Sequence, residues 1–101
     1  MVLATVVAVD GRIVEVHDQA WEHVAQGHPE LADALDEVID ALEHADVIES
    51  DPRPGRQRYY RRLVPSGGVW LRVATEFAGP RDRLVTAFEQ TQVPHGRRVQ
   101  L

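Results

Sequence analysis

The sequence predicts an α+β domain: an N-terminal β-hairpin, two helices, then an antiparallel meander of three to four strands with the helices packed on one face. Three observations lead there. The chain opens with two β-rich runs around an Asp-Gly turn, carries a helical apolar stripe in its middle, and closes with period-2 runs broken by Pro and Gly.

The first run is Val2 to Val9 and the second Arg12 to Val16, with Asp10-Gly11 between them as a hairpin signal. Asp18 is placed to cap a short helix that turns Ala20, Trp21, Val24 and Ala25 inward and stops at Gly27. His28 precedes Pro29, which disfavours helix at His28 and opens the next one. In that second helix Leu31, Leu35, Val38, Ile39 and Leu42 form one apolar stripe, and Asp33, Asp36, Glu37, Asp40 and Glu43 lie on the other face. A short strand at Val47 to Glu49 leads into the loop Asp51-Pro52-Arg53-Pro54-Gly55. Strands are then expected at Gln57 to Val64, Val69 to Phe77 and Arg83 to Glu89, turning at Pro65-Ser66-Gly67-Gly68 and Ala78-Gly79-Pro80. The basic tail from Pro94 to Leu101 is expected to be loosely ordered.

The 101 residues suit a single domain with one modest core. Without cysteine the chain has no disulfide, thiol nucleophile or thiolate metal site. The longest apolar stretch is far too short to span a membrane, and no basic region precedes it as in a signal peptide. A cytoplasmic protein with no membrane association is therefore expected.

Charge is distributed unevenly. Residues 1–51 carry thirteen acids against Arg12, a net −12, and residues 52–101 carry ten arginines against Glu76, Asp82 and Glu89, a net +7. Every basic side chain is Arg, whose planar fork matches phosphate or carboxylate. Strand alternation decides which arginines share a face. Val69, Leu71, Val73, Thr75 and Phe77 are assigned to the helix side, so Trp70, Arg72, Ala74 and Glu76 face the other way. In the preceding strand Arg58, Tyr60 and Arg62 are assigned to that same open face, and Tyr59, Arg61 and Leu63 to the helix side. Such a face could bind phosphate and stack a base on Tyr60, or be a solvated face whose arginines pair with nearby acids.

His28 is a candidate general acid or base, since histidine titrates near neutral pH, or else a residue that packs the helix junction. His17, His23 and His28 match no zinc spacing, so no metal or other cofactor is expected. A Gly-rich phosphate loop and a nucleophile elbow are both missing from the sequence.

Ala20-Trp21-Glu22-His23-Val24, Gly27-His28-Pro29-Glu30-Leu31, Arg58-Tyr59-Tyr60-Arg61 and Leu84-Val85-Thr86-Ala87-Phe88 together resemble the phage and toxin-associated branch of the barnase/EndoU/colicin/RelE-like nuclease superfamily. The resemblance spans residues 17–91 and implies a metal-independent ribonuclease in which the ribose 2′-hydroxyl attacks the adjacent phosphate. By position, the implied catalytic residues are His28, Arg58, Tyr60 or Arg61, and Thr86. Strand alternation adds Arg72. His23, Arg61 and Arg62 are the candidate substrate-binding residues. Gly27 stands where the pattern has Arg, and Phe88 where it has Tyr.

The implied partners are RNA and an antitoxin or immunity protein that restrains a toxin-type effector. A second reading is a non-catalytic interaction module, in which the acidic helix meets the basic sheet of a partner or of a second copy in a homodimer. A third is single-stranded nucleic-acid binding without cleavage, through Tyr60 and the two tryptophans.

Overall fold

A computed structural model describes residues 1–63 and 68–99. The architecture is α+β, with a seven-stranded sheet in the order β1-β2-β6-β5-β4-β3-β7 and two helices. β2 runs parallel to β6, and the other strand pairs are antiparallel. No described helix is long and apolar enough to cross a membrane.

β1 (Val2–Val7) pairs with β2 (Ile13–His17) across the predicted turn, where Gly11 adopts φ 87°. That left-handed conformation strains any residue with a Cβ. β1 ends two residues before the predicted boundary, because the Val9 amide donates to the Leu42 carbonyl (2.9 Å) and ties the hairpin to the second helix. α1 (Asp18–Gly27) follows β2 directly. Asp18 is its first residue rather than its cap. The carboxylate accepts from the Gln19 amide (2.9 Å) and lies 3.1 Å from the N-terminal ammonium.

The second helix is shorter than its apolar stripe predicts. Pro29–Leu31 form a 3-10 turn, Ala34 has a non-helical backbone (φ −107°, ψ 27°), and α2 spans only Leu35–Glu43. Leu31 is still buried, but from the turn rather than the helix. Tertiary packing here overrides the local periodicity. Val24, Leu31, Val38 and Leu42 then meet Val6, Val14, Val16, Tyr59, Leu71, Val73, Leu84 and Ala87 of the sheet in one core.

β3 (Val47–Ser50), β4 (Arg56–Arg62), β5 (Trp70–Ala78) and β6 (Arg81–Gln90) form the meander. The predicted strand end at Val64 and turn residues Pro65, Ser66 and Gly67 lie outside the described residues. The tail departs from expectation. Instead of trailing loosely, residues 91–96 cross the face opposite the helices, and β7 (Arg97–Arg98) pairs with β3. Pro94 is buried, the Val99 amide donates to the Asp46 carbonyl (3.0 Å), and a Cβ on Gly96 would stand 2.6 Å from Glu49 Cβ. The tail's arginines thus mark a charged edge strand, which discourages further pairing. Gln100 and Leu101, also assigned to the tail, lie outside the described residues.

The two charge halves are interleaved. Of ten ion pairs among the described residues, seven join residues 1–51 to residues 52–101. Arg12 grips the buried Asp82 (Nη2 to Oδ1, 3.0 Å) where β2 meets β6, and its guanidinium lies 4.0 Å over the Phe77 ring. The Asp82 hydrogen bond raises the Arg12 pKa against the opposing effect of burial. Asp10, in the hairpin turn, accepts from the Tyr59 hydroxyl (3.0 Å) and the Gln57 amide (2.7 Å).

Candidate functional site

β4 and β5 alternate as the sequence predicts. Tyr59, Leu71 and Val73 join the main core, while Tyr60 and Trp70 cluster with Val47 on the opposite face. That face is not open, however. Tyr60 is 1% and Trp70 3% exposed, and Gln92, Val93, Pro94 and His95 stand with Tyr60, Arg58 and Arg72 around a cavity of about 120 Å³.

Arg58 is the hub of the cluster. Its Nη1 donates to Glu49 (2.9 Å) and its Nε to Asp51 (2.8 Å), both acids on or just beyond β3. Burial alone would lower its pKa, and the hydrogen bonds to Asp51, Tyr60 and Glu49 raise it instead. Glu49 also accepts from the Tyr60 hydroxyl (3.4 Å) and the His95 amide (3.0 Å). Burial raises the Tyr60 pKa despite the nearby Arg58 and Arg72, so the phenol stays protonated at neutral pH and serves as a donor. Arg72 lies 4.0 Å from Asp51, and its buried Nε has no hydrogen-bond partner among the described residues. A buried donor without an acceptor is costly and marks a place where an incoming acceptor is favoured.

Asp51 carries a pH signature. Burial opposes its ionisation, but the Arg53 amide and the Arg58 guanidinium overcome that and hold its pKa below the usual aspartate value. A depressed carboxylate contributes stability above the unfolded-state pKa and loses it as pH falls through the folded-state value. Urea unfolding should therefore show a constant stability gap between the wild type and Asp51→Asn above about pH 5, narrowing below about pH 4. A gap that stays constant to pH 2 would contradict this.

A second arrangement lies beside the first. The His28 and Phe88 rings stack at 5.5 Å with 26° between planes, and the Arg72 guanidinium lies 4.7 Å from the same Phe88 ring. β6 reaches this edge through a bulge at Val85, since Ala74 faces Thr86 while Thr75 faces Leu84. The extra residue lets Leu84 stay in the core while Thr86 and Phe88 share the face of Ala74 and Arg72. His28 is half-exposed, and its Nδ1 lies 3.5 Å from Glu30.

The structure thus brings Arg58, Tyr60 and Arg72 together, with His28 linked to Arg72 through Phe88 and Thr86 two residues along the strand. Of the other three candidates, Arg61 and His23 lie elsewhere, and Arg62 is on the same face but at its edge. Arg61 points to the helix side, where it bonds the His44 carbonyl (2.6 Å) and pairs with Asp40 (3.2 Å). His23 is exposed on α1. Arg62 sits over Trp70 at 5.5 Å. The sequence reading missed His95, Glu49 and Asp51. A tail expected to be loose hid His95, and the expectation that the arginines of this face pair with nearby acids named neither carboxylate. Among the described residues no cluster of three or more His, Asp or Glu is placed to hold a metal. Comparison with protein-family models, curated proteins and solved structures found no match to this chain.

Proposed function

We propose that this chain is a ribonuclease-like domain working at the edge formed by His28, Phe88 and Arg72. The observation that carries the reading is the Phe88 ring, which is contacted both by the His28 imidazole and by the Arg72 guanidinium, whose buried Nε lacks a partner among the described residues. The motif resemblance supplies the reaction class. His28 accepts the 2′-hydroxyl proton, and Glu30 at Nδ1 leaves Nε2 as the nitrogen for that transfer. The 2′-oxygen–phosphorus bond forms and the phosphorus–5′-oxygen bond breaks, the 5′-oxygen leaving as a hydroxyl with a proton from water and His28 returning its proton to solvent. Arg72 stabilises charge on the pentacoordinate phosphorus, and Thr86 donates to a phosphate oxygen.

Arg58 has a different part in this scheme from a direct clamp. Its guanidinium is committed to Glu49 and Asp51, so it positions Arg72 through Asp51. Phe88, in place of a tyrosine, contributes a stacking ring without a hydroxyl.

The test is incubation of the protein with single-stranded RNA in EDTA. The expected products carry 2′,3′-cyclic phosphate ends, and an otherwise equivalent DNA strand stays intact because it lacks the attacking hydroxyl. Uncut RNA, or DNA cut at the same rate, would refute the reading.

A further inference from the structure

Residues 91–96 cross the face on which Tyr60 and Trp70 lie, and the chain continues as the edge strand β7 beside β3. Among the described residues the segment's hydrogen bonds to the sheet are the His95 amide to Glu49 (3.0 Å), the Val99 amide to the Asp46 carbonyl (3.0 Å) and the two-residue β7 ladder, with Pro94 buried and Val99 packed against the main core. Its seating also requires Gly96, because a Cβ there would collide with the Ile48 carbonyl and the Glu49 side chain. A segment held by so few bonds opens at lower free-energy cost than the strands beneath it.

What it covers is unusual for the second face of a sheet. Two large rings are nearly fully buried, flanked by Arg58, Arg62 and Arg72, and the tail's own Arg98 lies 5.8 Å from Trp70. Aromatic rings interleaved with arginines are the chemistry that stacks unpaired bases and tracks their phosphates. In the free protein the tail takes the place of such a strand.

We propose that residues 91–99 are a strap that single-stranded RNA displaces, exposing Tyr60 and Trp70 as a stacking platform continuous with Arg72. The choice of RNA as the displacing strand rests on the ribonuclease reading. When the strap lifts, Arg98 leaves the Trp70 ring while Arg62 stays for the incoming phosphate. Glu49 releases the His95 amide but keeps Arg58 and Tyr60.

Gly96→Ala, made alongside wild type in a Trp21→Phe background so that Trp70 reports alone, tests the strap without shortening the chain. Acrylamide should quench Trp70 more strongly in the variant, and a labelled oligouridine should bind about tenfold tighter, as for a closed state that occupies some nine-tenths of the wild type. Stronger quenching without tighter binding overturns the proposal. Unchanged quenching overturns it too, because the strap would then seat with the Cβ present.

Should Gly96→Ala fail to fold, hydrogen exchange of the wild type gives the answer. The His95 and Val99 amides should exchange faster when the RNA is added, and unchanged or slower exchange overturns the proposal. Cleavage in EDTA separates this outcome from the ribonuclease reading. Tighter binding with no cleavage by either protein removes the nuclease and leaves the strap. Cleavage with no release of the strap amides does the reverse.

Discussion

His28→Ala is expected to slow RNA cleavage in EDTA by about 10²- to 10⁴-fold, the range lost with a general acid–base side chain. That corresponds to about 3–5 kcal/mol of barrier. The fold should tolerate the change. His28 is half-exposed and its main packing partner is one face of Phe88, so the stability loss should be about 1 kcal/mol. Equal cleavage by both proteins would remove His28 from the chemistry.

Arg58→Ala should act on the fold instead, costing about 3 kcal/mol. The side chain is 17% exposed and neutralises Asp51, itself 9% exposed, together with Glu49. Removing one member of a buried pair strands the other, and about 3–5 kcal/mol is typical of such losses. Partial solvation of Glu49 (21% exposed) puts the expectation at the lower end. Chemical denaturation measures this directly. A loss below about 1 kcal/mol would mean the pairs behave as surface contacts.

These two expectations divide arginines and histidines that look alike in the sequence. Arg58 and Arg72 lie on adjacent strands, and alternation places both on one face. Alternation cannot report that Glu49, directly across from Arg58 on β3, and Asp51 just beyond it take up one guanidinium and leave the other with a nitrogen unpartnered among the described residues. A charge count cannot show it either, because it sums the acids of residues 1–51 without assigning them partners. Several reach back to the arginines: Asp40 and Asp46 to Arg61, Glu15 to Arg81, and Asp51 to Arg58.

The fold was legible where local rules act alone. The Asp10-Gly11 turn, the first helix and the alternation of β4 and β5 follow from residue type and period. Long-range pairing was not. The parallel contact of β2 with β6 depends on Asp82 receiving Arg12, seventy positions away in sequence. The tail was misread for a related reason, because its order comes from Gly96 and Pro94 fitting a surface that other strands provide. His28 was legible as a candidate from its place before Pro29. Its partner Phe88 marked a departure from the motif rather than a contact.

The basic half of the chain is largely neutralised by the acidic half inside the fold, and in the proposed function this leaves the His28–Phe88–Arg72 edge for chemistry. A double-mutant cycle on Arg58 and Asp51, read by both urea unfolding and RNA affinity, tests it most directly. The claim predicts a coupling of about 2 kcal/mol or more in stability and RNA affinity that changes less than about threefold in Asp51→Ala. Negligible coupling, with RNA binding lost in Arg58→Ala and strengthened in Asp51→Ala, would contradict it by making Arg58 a phosphate ligand that its acids merely restrain.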